Sequence, residues 1–163
     1  MDGENWREPA ELAKAHAPAI YRLAYARTGS RADAEDIMQE VFLRFLRRAP
    51  ALDCDDHVRA WLLHAAANCA NSLFAKAHRR HELPLEEGAA QTAEPEHSDV
   101  LDAVLALPEK YRAAVCLHCC EGYTTAETAK ILGKKEATVR TWLFRARGLL
   151  REALEEEEEH GTS

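Results

Sequence analysis

Between Ala34 and Phe45 the apolar side chains fall at Ala34, Ile37, Met38, Val41, Phe42 and Phe45. Alternating steps of three and four over more than three turns predict an amphipathic α-helix, with Ser30 as its N-cap. Upstream, Leu12, Ala15, Ala19, Leu23 and Ala26 predict a helix from Glu8 to Arg27, closed by Gly29, which reaches the left-handed conformation without a Cβ penalty. A break at Ala49-Pro50 and the polar stretch Asp53–Asp56 precede a third helix, to about Arg80, whose apolar side is Val58, Trp61, Leu62, Ala65, Cys69 and Leu73. Periodicity is lost over residues 82–97, which hold two Pro, one Gly and five Glu and read as an acidic linker.

Beyond the linker, Ser98 can cap a short helix to Ala106, Pro108 suits the first turn of the next, and Gly122 ends that one after Cys120. Thr124 and Glu127 have the spacing of a capping box opening a helix to Leu132. Gly133 supplies a turn, and a last helix runs from about Glu136 through Leu154 into the Glu155–Glu159 run. Short helix, glycine turn and longer basic helix is the pattern of a helix-turn-helix. The expected architecture is all-α: a helical bundle at 10–81, the acidic linker at 82–97, a helix-turn-helix domain at 98–154 and an acidic tail at 155–163.

Composition supports helices, with only 7 Gly and 6 Pro among 163 residues. No run of about 18 apolar residues and no basic leader before an apolar stretch is present, so the chain is expected in the cytoplasm, without membrane insertion. Five cysteines, an odd number, fit reduced thiols. The net charge of −7 argues at first against a polyanionic partner, but the charge is unevenly spread. Residues 1–81 carry +1, 82–107 carry −7, 108–151 carry +5 and 152–163 carry −6. The basic surface therefore coincides with the helix-turn-helix.

Within that last helix, Val139, Leu143, Ala146 and Leu150 fall inward, while Arg140, Thr141, Phe144 and Arg145 face out, where arginine can bond guanine edges or phosphates. Three stretches, Leu107-Pro-Glu-Lys-Tyr-Arg112, Glu121-Gly-Tyr-Thr-Thr-Ala-Glu127 and Thr138-Val-Arg-Thr-Trp-Leu-Phe-Arg-Ala-Arg147, resemble region four of bacterial RNA polymerase sigma factors of the extracytoplasmic-function branch. Upstream, Asp33-Ala-Glu-Asp-Ile-Met-Gln-Glu-Val-Phe-Leu-Arg44 resembles the polymerase-binding helix of sigma region two, and Trp61-Leu-Leu-His-Ala-Ala-Ala-Asn68 resembles its promoter-melting segment. The two motif sets occur in the family's order and cover about residues 10–151.

The resemblance implies core RNA polymerase and promoter DNA as partners, and an anti-sigma factor of the kind that often restrains this branch. It maps the polar stripe Asp36, Gln39, Glu40 and Leu43 to the surface that docks on the polymerase clamp. It likewise maps His64, Asn68, Asn71, Lys76, Arg79 and Arg80 to the minus-ten element, with Asn68 holding a flipped base beside a pocket formed by the Asp53–Arg59 loop. Arg140, Thr141, Phe144 and Arg145 would read the minus-thirty-five element, with Lys134 and Lys135 on phosphates. Ala67 stands where the family usually has Arg, and Trp142 where it commonly has a polar or basic residue. The alternative is a helix-turn-helix regulator that binds promoters without engaging polymerase.

No phosphate-binding loop, nucleophile elbow or HExxH motif is present, so neither an enzyme nor a cofactor is expected. Cys116-Leu-His-Cys-Cys120 lacks a second Cys/His pair at zinc-ligand spacing, and all three thiols are expected on a buried helix face rather than on a metal. The acidic linker and tail predict weak DNA binding by the free chain.

Overall fold

The structure, a computed structural model, describes residues 9–48, 54–79 and 99–161. The described elements are helical: α1 (Pro9–Ala15), α2 (Ala17–Thr28), α3 (Arg31–Arg48), α4 (Asp55–Arg79), α5 (Asp99–Leu105), α6 (Glu109–Val115), a π turn (Cys116–Cys120), α7 (Thr125–Leu132) and α8 (Glu136–Gly161). The linker, Ser98 and the break at 49–53 lie outside the described residues.

The single helix expected over Glu8–Arg27 is instead two. Pro18 has no N–H to give and its ring crowds the carbonyl four residues back, so the chain breaks at His16 (φ −102°, ψ 6°) and restarts with the proline in the first turn. Gly29 closes α2 at φ 67°, and its N–H bonds the Tyr25 carbonyl at 2.7 Å. The next helix is capped as expected, the Asp33 N–H donating to Ser30 Oγ at 3.2 Å.

Around α2, the helices α3 and α4 close the first core with Ile20, Leu23, Ile37, Val41, Phe45, Val58 and Leu62. The Trp61 ring lies edge-on to Phe45 at 5.5 Å. Helix α4 is buried on two sides, not one. Leu63, Ala66, Ala67 and Ala70 are also inaccessible, and α4 packs against α1 and α7 as well as α2 and α3.

The second half is organised by α8, whose Val139, Leu143 and Ala146 are buried against α6 and α7. Thr124 and Glu127 form the expected capping box: the Glu127 N–H donates to Thr124 Oγ1 at 3.1 Å, and the Thr124 N–H donates to Glu127 Oε1 at 2.9 Å. These bonds hold the Glu127 carboxyl below its usual range, so the cap is complete at neutral pH and weakens as pH falls through that range. Gly133 turns the chain at φ 69°. A Thr124→Ala variant is expected to lose about 1 kcal/mol, a fall in Tm of roughly 2–4 °C, measurable by thermal denaturation at pH 7.

Between α6 and α7 the sequence period fails. Hydrogen bonds of longer span, Glu121 N–H to the Cys116 carbonyl and Tyr123 N–H to the Leu117 carbonyl, both 3.0 Å, widen the helix there. That widening corrects the expectation for the thiols: Cys116 is buried, but Cys119 and Cys120 are rotated out and exposed.

Candidate functional site

Three surfaces carry the residues singled out by sequence. On α3, Asp36, Gln39 and Leu43 are exposed and Glu40 is half-exposed, opposite the buried Ile37, Val41 and Phe45. Glu40 is braced by Arg44, whose Nε donates to Oε2 at 3.0 Å. Leu46 was not anticipated: it lies one turn beyond Leu43 and is 48% exposed, so the acidic stripe ends in two uncovered leucines. Its i+3 spacing from Leu43 was the available signal.

On α4, His64, Asn68, Asn71 and Lys76 are all exposed. Arg79 ends the helix, its side chain lying outside the described residues with all of Arg80. His64 Nδ1 lies 3.0 Å from the Ile131 carbonyl of α7. A carbonyl only accepts, so Nδ1 carries the proton, leaving Nε2 to accept from Asn68 Nδ2 at 3.2 Å. Asn71 Oδ1 accepts from Arg27 Nη2 at 2.6 Å. The loop expected over Asp53–Arg59 is mostly helix: α4 begins at Asp55, whose carboxylate accepts from His16 Nε2 at 3.0 Å, and Asp53 lies outside the described residues.

On α8 and the turn before it, Lys134, Lys135, Arg140, Thr141, Phe144 and Arg145 are exposed together, opposite the Val139–Leu143–Ala146 core. Phe144 is 79% exposed, an unusual position for a phenyl ring. Arg140 Nη2 donates to Glu136 Oε1 at 2.7 Å, and the Thr141 hydroxyl donates to the Ala137 carbonyl at 3.1 Å. Trp142 turns inward and packs against the core, with Lys110 Nζ 6.0 Å from its ring.

Sequence reasoning missed the groups that join the two halves. Glu121, just after the π turn, is buried and accepts from Arg22 Nε at 2.6 Å and Nη2 at 3.0 Å, and from Arg59 Nη2 at 2.5 Å. Burial alone would push its carboxyl up, but the two guanidiniums more than offset this and hold it below the usual range. Arg59 also lies 5.1 Å from the Tyr123 ring centroid. Arg27 of α2 pairs with Glu109 of α6, and Arg112 Nε donates to the Ala26 carbonyl at 2.7 Å.

Two thiols of the cysteine cluster, Cys116 and Cys120, are chemically quiet by contrast. Burial pushes the Cys116 thiol up to about 12 and raises Cys120, so both stay protonated and weakly nucleophilic at neutral pH. Among the described residues no group of three or more His, Cys, Asp or Glu side chains is placed to hold a metal, and no helix is long and apolar enough to cross a membrane.

Comparison with known proteins agrees with this layout. Residues 12–80 match the Sigma-70 region 2 family and residues 97–150 the Sigma-70 region 4 family. The chain is 33% identical over 156 residues to the ECF RNA polymerase sigma factor SigE of Mycolicibacterium smegmatis, covering 88% of this chain and 60% of that protein. It is 32% identical over 144 residues to the ECF RNA polymerase sigma factor SigM of Mycobacterium tuberculosis, covering 86% of this chain and 74% of that one. Among solved structures, the sigma factor RpoE of Bartonella quintana, crystallised with the anti-sigma factor NepR, shares the fold with a TM-score of 0.71 at 22% identity, over 89% of this chain and 95% of that one. With helices placed as the two motif sets require and relatives that align across both halves, the chain belongs to the extracytoplasmic-function (ECF) branch of the sigma-70 family of RNA polymerase sigma factors.

Proposed function

We propose that this chain binds core RNA polymerase and directs it to promoters, the unit at 10–81 docking on polymerase and opening the minus-ten element and the unit at 98–154 binding the minus-thirty-five element. The observation that carries the reading is that one chain presents two unlike exposed surfaces on rigid helices. The acidic, leucine-ended stripe of α3 suits a basic protein partner, and the arginine- and phenylalanine-bearing face of α8 suits a major groove. The autonomous-regulator alternative leaves the α3 stripe without a purpose.

Asp36, Gln39, Glu40 and Leu43 supply orientation through charge and hydrogen bonds to polymerase, with Leu46 extending the contact. His64, Asn68 and Asn71 offer amide and imidazole groups to an unstacked base, and Lys76, Arg79 and Arg80 attract the strand. Extruding a base costs a few kcal/mol of stacking, which hydrogen bonds to its exposed edge offset. Lys134 and Lys135, just ahead of the N-terminus of α8, meet phosphates, while Arg140, Thr141, Phe144 and Arg145 read base edges. The polymerase performs the chemistry, the chain acts in the cytoplasm, and an anti-sigma factor restrains it by covering one of these surfaces. The linker at 82–97 brings negative charge into the polymerase channel, in place of nucleic acid.

The test is run-off transcription with sigma-free core polymerase on a template selected from a promoter library by the reconstituted complex. Transcripts from defined starts are expected only when chain and core are both present. Tight promoter binding by the chain alone, with no transcript, would establish the autonomous regulator instead.

A further inference from the structure

Helix α8 is longer than the fold it serves. Its 26 residues extend about 39 Å at 1.5 Å per residue, yet Ala146 is the last of its described side chains to be buried. Beyond that point the helix remains two-sided. Leu150 and Leu154 are only half-buried, and with the exposed Arg147, Arg151 and Glu155 they line a hollow of about 520 Å³. Among the described residues, none of these three charged groups has an ion-pair partner. The reason within the helix is orientation. In the pairs Glu40–Arg44 and Glu136–Arg140 the acid precedes the base by four residues, the favourable order, whereas Arg151 precedes Glu155.

The charges narrow down what can cover this hollow. Two arginines come first, then the acidic run that begins at Glu155, with leucines between. DNA would meet the arginines but be repelled by the acids one turn on, and it would leave both leucines without an apolar contact. A uniformly acidic helix meets the same repulsion at Glu155. The fitting surface is acidic opposite Arg147 and Arg151, basic opposite Glu155, and apolar in the middle. An antiparallel copy of α8 has that order. Centred on Ala153, it would bring Arg151 of each copy level with Glu155 of the other, and Arg147 level with the far end of the acidic run, while Leu150 and Leu154 meet their counterparts within one turn. A parallel pairing would instead set arginine beside arginine and glutamate beside glutamate.

We propose that the C-terminal part of α8 is a self-association surface through which two copies of this chain pair antiparallel. The contact is isologous, the same patch on both copies, and therefore closes at two. Two leucines a side bury little area, which places it among weak, transient interfaces whose occupancy follows concentration. The flanking charges supply orientation and selectivity, as they do between the helices of a coiled coil. The pairing stands on α8 alone and does not depend on the function proposed above.

The test is analytical ultracentrifugation of the full chain from roughly 1 to 100 µM, the range in which weak interfaces associate. The parent is expected to pass from one copy to two across that range. Arg151→Glu puts glutamate opposite glutamate at both symmetry-related positions, and Glu155→Arg puts arginine opposite arginine. Each variant alone is expected to dimerise about tenfold more weakly. An equimolar mixture of the two is expected to regain the parent's association, because opposite charges then face each other at both positions. Both side chains are exposed, so folding changes little, and circular dichroism checks it. A parent that stays a single copy throughout, or that grows beyond two, would overturn the proposal. So would variants that associate as tightly as the parent, or a mixture that associates no better than either variant alone.

Discussion

Reversing Asp36 and Glu40 together to lysine is expected to weaken binding to core polymerase about 100-fold, and each reversal alone about tenfold. Both side chains stand on the outer face of α3, a turn apart, with the buried Ile37 and Val41 behind them. Against a basic partner surface, each reversal exchanges an attraction for a like-charge encounter, and such encounters cost up to several kcal/mol, with about 1.4 kcal/mol per tenfold. Folding should change little, since exposed substitutions usually fall within about 0.5 kcal/mol; breaking the Glu40–Arg44 pair is of that order.

Fluorescence titration of labelled chain with core polymerase measures the effect. It should shrink at high salt, as screened charges require. Run-off transcription should fall at limiting chain and recover at excess, because the lesion lies in docking. Undiminished affinity in the double reversal would remove α3 as the docking surface. Leu46→Ala provides an independent check, since the affinity it removes is apolar and should be insensitive to salt.

Local order was legible where one physical rule acts within a few residues. The three-and-four spacing of Ala34 to Phe45 named the buried side of α3, and the Thr124–Glu127 pair and Gly133 marked both ends of α7. The inward side of α8 followed the same logic, so its outward face could be read as well. Pro18 defeated the first helix because an apolar period passes straight through a residue that cannot donate the hydrogen bond the helix needs.

Features set by distant partners were not legible. Glu121 looks like any solvated acid in sequence, and its arginines lie 99 and 62 positions away. The widened turn at Cys116–Cys120 has no periodic signature, so Cys119 and Cys120 were expected inside. The contact of α4 with α7 was not legible either, since the bond from His64 to the Ile131 carbonyl spans 67 positions.

On α8, Phe144→Ala and Arg145→Ala should each weaken promoter recognition, but in distinguishable ways. Arg140 is engaged by Glu136, and the Thr141 hydroxyl is spent on the Ala137 carbonyl, which leaves its methyl group as the part available to a ligand. One turn on, Phe144 adds a ring that is 79% exposed. Thr141 and Phe144 thus form an apolar patch on a polar face, suited to the 5-methyl of thymine, while Arg145 supplies a guanidinium for the paired acceptors of guanine.

Each good base contact discriminates by about 1–3 kcal/mol, so Arg145→Ala should lower affinity for the selected minus-thirty-five element by roughly 10–100-fold and relax the preference at one guanine. Phe144→Ala should instead erase the difference between thymine and deoxyuridine in that element. Competition binding by the reconstituted polymerase complex, on duplexes differing only in those bases, reads both. Lys134→Ala serves as the comparison: without its ammonium on a phosphate, affinity falls for all sequences alike, and the slope of log affinity against log salt becomes shallower by about 0.9. Should Phe144→Ala still favour thymine over deoxyuridine, the ring is not the reader of the methyl group, and its exposure must be explained by a protein partner.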